Sequence, residues 1–181
     1  MISAILYQSA TGSCERYARE MSRKLALPLY PVDRCPLPKG MEILYIGWLM
    51  NGKVTGLEKA RKDYAVKAVV QVGMSAPGAR SEAACRAKND LGGEIAVFTV
   101  QGGFHMDKLS LPMRVIMKNV NKSIVRRLEA KKDLSDADRA TLKMARTGEG
   151  EPATWDGIQP AIDWVREQTN PPKVIKWHEP T

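Results

Sequence analysis

The sequence predicts an α/β protein, a single open parallel sheet with helices on both faces, and three observations lead there. Short apolar runs alternate with helical segments five times over, the pattern of parallel strands joined by crossover helices. The first run, Ile2 to Tyr7, is long enough for one buried strand and leads through a turn of small residues into a helical segment. The chain has 181 residues, 44% of them hydrophobic, which fits one domain with a sizeable core and excludes general disorder.

In order along the chain, Ile2 to Tyr7 is the first strand, and Glu15 to Leu25 is the first helix, with Tyr17, Met21 and Leu25 at helical spacing. Leu27 to Val32 is a short second strand. Pro28 and Pro31 put it at an edge, because proline cannot donate to a central ladder. Arg34 to Gly40, with Pro36 and Pro38, is a tight connection. Glu42 to Gly47 is the third strand and delivers the loop Trp48-Leu49-Met50-Asn51-Gly52-Lys53. Leu57 to Tyr64 is a short helix. Lys67 to Gly73 is the fourth strand, followed by the loop from Met74 to Arg80. Ser81 to Asp90 is a helix with Ser81 or Glu82 near its start, and Ile95 to Val100 is the fifth strand. Gln101-Gly102-Gly103-Phe104-His105 then opens an excursion to about Gly150, before a last helix from about Asp156 to Glu167. We expect one domain over residues 1–168, a helical insertion at about 104–150, and a tail at 169–181 in which Val174, Ile175 and Trp177 can fold back.

The turn Tyr7-Gln8-Ser9-Ala10-Thr11-Gly12-Ser13-Cys14 joins the first strand to the first helix. A helix N-terminus presents unpaired N–H groups and the positive end of the dipole, so an anion is bound there without any lysine. Ser9, Thr11 and Ser13 can each offer an O–H to phosphate oxygens, and Gly12 lets the backbone come close or take a positive φ. The turn reads as a phosphate loop; the alternative is an ordinary turn capped by Ser13.

The stretch Ser9-Ala10-Thr11-Gly12-Ser13-Cys14 resembles the phosphate loop of flavodoxins, Ser/Thr-x-Thr-Gly-x-Thr/Ser, with Cys14 where that family has a hydroxyl. A thiol is a weaker donor, so N–H groups and the three hydroxyls would hold the phosphate. The resemblance implies a flavodoxin-like three-layer α/β/α sandwich holding FMN. Its five-stranded parallel sheet would have the order 2-1-3-4-5, with the basic helical insertion after strand 5. In such sheets ligands sit beyond the carboxyl ends of the strands where the order reverses, between the first and third strands. The third-strand loop meets the phosphate loop there, which assigns Trp48, Leu49, Met50, Asn51 and Gly52 to the flavin. Trp48 or Met50 would cover the ring, or Trp48 is a core residue at a strand end. Met74, Ser75, Ala76 and Gly78 follow the adjacent strand and supply small residues for the flavin edge, with backbone groups of Ser75 and Ala76 for its polar rim. FMN is expected over FAD because no Gly-x-Gly-x-x-Gly loop is present.

Flavodoxins proper are acidic, whereas this chain carries a formal charge of +8 and a pI near 9.5. It is more similar to the flavodoxin-like, menaquinone-dependent protoporphyrinogen oxidases, which share a late basic insertion with a Met/Lys-rich helix, here Leu111-Pro112-Met113-Arg114-Val115-Ile116-Met117-Lys118. That resemblance implies an FMN-dependent oxidoreductase, with porphyrinogen or quinone redox chemistry as one option. It names no catalytic acid or base, because in flavin enzymes the ring carries the chemistry. A one-electron carrier is the first alternative, and a cofactor-free interaction module the second.

The insertion holds Lys108, Arg114, Lys118, Lys122, Arg126, Arg127, Lys131 and Lys132 against one acid, Glu129, a net +7 between residues 108 and 132. Met113, Ile116, Met117, Val120, Ile124 and Leu128 fall on one helical face, and Arg114, Lys118, Lys122 and Arg126 on the opposite side. Such a helix either packs its stripe on the domain and solvates its charges, or meets an anionic membrane at its periphery or a protein partner. Leu134 to Arg146 is another helix, with Ser135 as its N-cap, and Gly148-Glu149-Gly150-Glu151-Pro152 breaks the structure.

Three cysteines, Cys14, Cys35 and Cys85, form no C-x-x-C pair and read as reduced thiols. His105 and His178 have no His or Cys partner nearby, so no metal site is expected. No run of eighteen apolar residues occurs and the N-terminus has no secretory pattern, so we expect a cytoplasmic protein, with contact at the inner face of the membrane left open by the insertion. No nucleic-acid motif is present and few aromatics accompany the lysines, so no nucleic-acid partner is expected.

Overall fold

The computed structural model describes residues 1–169. Its strands are β1 (Ala4–Gln8), β2 (Leu29–Pro31), β3 (Glu42–Met50), β4 (Lys53–Val54), β5 (Ala65–Gly73), β6 (Ala96–Gln101), β7 (Phe104–His105) and β8 (Glu149–Gly150). Its helices are α1 (Ser13–Leu25), α2 (Leu57–Asp63), α3 (Ala79–Lys88), α4 (Leu111–Glu129), α5 (Asp136–Thr147) and α6 (Gln159–Thr169). The main sheet is mostly parallel: β2, β1, β3, β5 and β6 lie side by side in that order, and β4 pairs antiparallel with the end of β3.

Successive residues of a strand point to opposite faces, and both faces of this sheet are covered, which is why its strands read as near-continuous apolar runs. Ile5, Leu44, Ile46 and Val70 pack with Tyr17 and Met21 of α1 and Ile162 and Val165 of α6. Leu6, Ile43, Tyr45 and Val69 pack on the other side with Leu57 and Ala60 of α2 and Cys85 of α3. Each such fully buried aliphatic side chain contributes about 1.5–3 kcal/mol relative to exposure. β2 is a three-residue edge strand whose Pro31 lies opposite Tyr7.

Three elements differ from the sequence expectation. Trp48, Leu49 and Met50 belong to β3, which runs nine residues, and the chain then turns at Asn51 (φ 51°) and Gly52 (φ 79°) into β4. Positive φ at both central residues is the hairpin geometry that Asn-Gly favours, so the expected loop is a hairpin and the sheet has six strands instead of five. The run Gly148 to Pro152 does not break the structure: Gly148 (φ 80°) ends α5, and β8 pairs antiparallel with β7, closing the insertion at its base. Third, α3 begins at Ala79 after Gly78, ahead of Ser81 and Glu82.

Ser135 caps α5 through a reciprocal pair: Asp138 N–H donates to Ser135 Oγ, and Ser135 N–H donates back to the Asp138 carboxylate. A 3-10 turn at Asp156–Ile158 leads into α6, which runs to Thr169, so the expected tail lies outside the described residues from 170 onward. Among the described residues no helix is long and apolar enough to cross a membrane. No group of three or more His, Cys, Asp and Glu among them could hold a metal.

Candidate functional site

The site begins where β1 hands over to α1. Gly12 takes φ 103°, and a Cβ there would meet nothing within 4 Å, so glycine is needed for its conformation and the space above stays open. Gly12 N–H donates to Ser9 Oγ at 3.1 Å, and Arg16 N–H donates to Gly12 O at 2.9 Å as the first bond of the helix. No side chain caps α1, and the N–H groups of Ser13, Cys14 and Glu15 find no acceptor among the described residues. Such free donors at the positive end of a helix favour an anion.

Of the three hydroxyls expected to reach a phosphate, one is committed elsewhere. Ser13 Oγ donates to Gly103 O at 3.1 Å and pins the loop to the turn after β6, leaving Ser9 and Thr11. That approach needs Gly102, where a Cβ would lie 2.5 Å from Val72 Cγ1 and 3.1 Å from Ser13 Cβ. Cys14 sits in the core beneath α1, and burial pushes its thiol up to about 12, so its contribution at the loop is its N–H.

One cavity adjoins the loop, and a second borders the first. The stretch Ser9–Cys14, Gly12 excepted, lines a small one of about 70 Å³, which Leu109 and Met117 of the insertion close from above. It shares Trp48, Leu49, Gly73, Met74 and Met117 with a larger cavity of about 640 Å³, in the ordinary range for small-molecule sites of about 300–1,000 Å³. The walls of the larger one are Trp48–Gly52 from the β3–β4 hairpin and Gly73–Ala76 after β5, and its roof is Met113, Ile116, Val120 and Ile124 of α4. The three stretches singled out in the sequence therefore converge. Gly78 lines neither cavity and precedes α3, while Gly12 faces a separate groove beside Arg16 and Trp155. Trp48 lies opposite Val72 in the β3–β5 ladder, packs on the core and lines both cavities, so its core role and its place at the site coexist.

The face expected of α4 is largely kept: Met113, Ile116, Met117, Val120 and Ile124 all line the larger cavity, with Ile116 and Val120 53% and 41% exposed there, while Leu111 and Val115 lie further out. Asn121, 4% exposed, holds the buried centre with no hydrogen-bond partner for its amide among the described residues. Arg114 is not on the solvent side: its guanidinium donates to Leu109 O at 2.9 Å and Asp107 O at 2.5 Å and fastens the start of the helix. Beneath α4 is a separate small core in which Met74, Met106, Met113, Met117 and Met144 gather around Phe104 and Leu109. Methionine fills irregular space and adapts to what it covers. On its other flank α4 borders a groove lined by Lys118, Lys122, Arg126 and Arg146.

Sequence reasoning missed Gln101, at the end of β6. Its Nε2 lies 2.9 Å from Met74 O, 2.8 Å from Ala137 O and 2.9 Å from Thr141 Oγ1, while its Oε1 accepts from Ala153 N–H and its carbonyl from Tyr17 O–H. One side chain thus ties the wall of the cavity to α5 and to the chain before α6. A glutamine ending an apolar run was the only local mark, and it says nothing of partners so distant in sequence.

No protein-family model, curated protein or solved structure matches the chain. The fold is an α/β domain with a mostly parallel sheet, and the candidate site lies beyond the carboxyl ends of β1, β3 and β5, beside the point between β1 and β3 where the sheet order reverses. The free N–H groups, two hydroxyls and positive-φ glycine at one end, and the apolar cavity beside Trp48 and Met50 at the other, fit a phosphate joined to a flat ring.

Proposed function

We propose that this is a flavodoxin-like oxidoreductase that binds FMN, with the phosphate at the N-terminus of α1 and the ring in the larger cavity. The observation that carries it is the junction of an uncapped helix N-terminus with an apolar cavity walled by Trp48 and Met50. FMN would supply reversible electron transfer there. The chain's own part is to bind and exclude water. N–H groups of Ser13 to Glu15 and the hydroxyls of Ser9 and Thr11 hold the phosphate, Trp48 and Met50 offer flat and polarisable surface, and backbone groups of Ser75 and Ala76 meet the polar rim of the ring.

The roof favours an enzyme over a one-electron carrier, because a carrier must show its ring edge to a partner protein. Here Met113, Ile116, Met117 and Val120 stand over that space, which suits a small, largely apolar substrate, with a quinone or porphyrinogen the option that the resemblance implies. We place the protein in the cytoplasm or at the inner face of a membrane.

The test is direct. The purified protein should be yellow and release FMN, not FAD, on heating. Thr11→Val with Gly12→Asp should abolish FMN uptake with an unchanged circular-dichroism spectrum, since a donor is lost and the loop is forced away from the φ of 103° that Gly12 takes. Trp48→Ala should weaken binding and relieve quenching of flavin fluorescence. Apoprotein that titrates with FMN equally well after the double substitution would remove the reading.

A further inference from the structure

We infer that Arg127 tunes the redox potential of the flavin by stabilising its reduced form, an inference that rests on the FMN reading. Among the described residues Arg127 is the only charged one lining the larger cavity; every other described wall or roof residue is apolar or neutral. It makes no ion pair with any described residue, and its Nη2 lies 3.5 Å from Ser75 Oγ. An unpaired guanidinium at the rim of an uncharged, roofed cavity is an arrangement for meeting negative charge, and Arg stays charged at any working pH. Ser75 and Ala76 form the loop proposed to meet the polar rim of the ring, so with FMN bound the cation would stand beside that rim.

The charge to be met follows from the chemistry of a flavin. Uptake of two electrons and one proton turns the neutral oxidised ring into an anion whose charge is shared by N1 and the C2 carbonyl on the polar rim. A fixed cation there favours the reduced form over the oxidised one. The position on the helix decides the role. Arg126, one residue earlier, lines the groove on the opposite flank of α4 together with Lys118 and Lys122. The same loss of charge at Arg126 and Arg127 therefore separates contact with the cavity from the basic character of the whole insertion.

The experiment is a dithionite titration of the FMN-loaded protein against an indicator dye, on wild type, Arg127→Gln, Arg127→Lys and Arg126→Gln, with the affinity for oxidised FMN measured in parallel. Arg127→Gln should weaken binding of reduced FMN about tenfold relative to oxidised FMN, which for a two-electron couple lowers the midpoint by about 30 mV. Arg127→Lys should recover most of that shift, and Arg126→Gln should leave the midpoint at the wild-type value. Equal shifts from Arg126→Gln and Arg127→Gln, or no shift from Arg127→Gln in protein that binds FMN normally, would overturn the role of Arg127 and leave the FMN reading intact. Wild-type protein that takes up no FMN would overturn both.

Discussion

Gln101 Nε2 donates to Thr141 Oγ1 at 2.9 Å, and both side chains are buried. Thr141 Oγ1 also lies 2.5 Å from Met74 O and 2.8 Å from Ala137 O, so this hydroxyl joins the sheet, the cavity wall and α5. Thr141→Val keeps the shape but removes both donor and acceptor. Gln101 Nε2 keeps Met74 O and Ala137 O, so no donor is stranded, and we expect the loss of the hydrogen bonds alone, about 0.5–1.5 kcal/mol in urea unfolding. Amide exchange at Met74 to Ala76 should quicken as the loop loses its tie. Wild-type exchange there in Thr141→Val would show that α5 does not hold the cavity wall.

Cys14 is 1% exposed and its thiol is pushed up to about 12 by burial. The native protein should therefore resist thiol alkylation at Cys14 at pH 8 and react there only after unfolding. Cys14→Ser supplies the hydroxyl of the flavodoxin pattern, but it places that hydroxyl among Ile5, Tyr17 and Ile46 of the core. We expect it to lower stability by about 1–3 kcal/mol with no gain in FMN affinity. Tighter FMN binding by Cys14→Ser would mean that position 14 faces the phosphate after all.

What was legible in the sequence was local. Strand and helix alternation, the edge position of the strand with Pro28 and Pro31, and the small hydroxyl residues before α1 all depend on residues within a turn or two of one another. The β3–β4 hairpin was announced by Asn51-Gly52, but Trp48 to Met50 read as a ligand loop because the apolar run outlasted the expected strand. The pairing of His105 with Glu149 had no such signal, since two-residue strands carry no period and their partners lie on either side of two helices. What α4 covers was hidden for another reason. Its apolar stripe shows that the helix packs, but the methionine-rich core it meets is assembled from Met74, Met106 and Met144, which are distant from one another in sequence.

Asp138 gives the pH dependence. Lys131 Nζ donates to its carboxylate at 2.9 Å, and with the N–H and O–H of Ser135 it holds the carboxyl below its ordinary value of 3.8, against the opposing effect of burial. A carboxyl depressed in the folded state stabilises fully above its unfolded pKa, and that contribution is lost as the pH falls through the folded one. Asp138→Asn should thus be less stable than wild type by about 1 kcal/mol at neutral pH, the usual size of a cap. The difference should stay constant down to about pH 5 and narrow below about pH 4. Urea midpoints across that range check it, and a difference that does not change between pH 7 and pH 3 would mean the charge of Asp138 contributes nothing.

The outer surface of α4 carries the last prediction. Leu111 and Val115 are 74% and 64% exposed, with Ile116, Val120 and Met50 of the neighbouring hairpin also open to solvent. Lys118, Lys122 and Arg126 are exposed among them, whereas Arg114 is engaged with Leu109 O and Asp107 O and is not free for a partner. Apolar side chains interleaved with cations on one helix suit the interface of an anionic bilayer. Each basic residue near such a surface contributes about 1 kcal/mol, screened over a Debye length of about 8 Å at physiological salt. We expect co-sedimentation with phosphatidylglycerol vesicles but not with phosphatidylcholine vesicles, falling as salt rises. Lys118→Glu, Lys122→Glu and Arg126→Glu together should abolish it. Leu111→Ser with Val115→Ser should weaken it without changing its steepness in salt, because the number of charges engaged is the same. Equal binding to both vesicle types, or none to the anionic ones at low salt, would leave α4 as a solvated roof over the cavity.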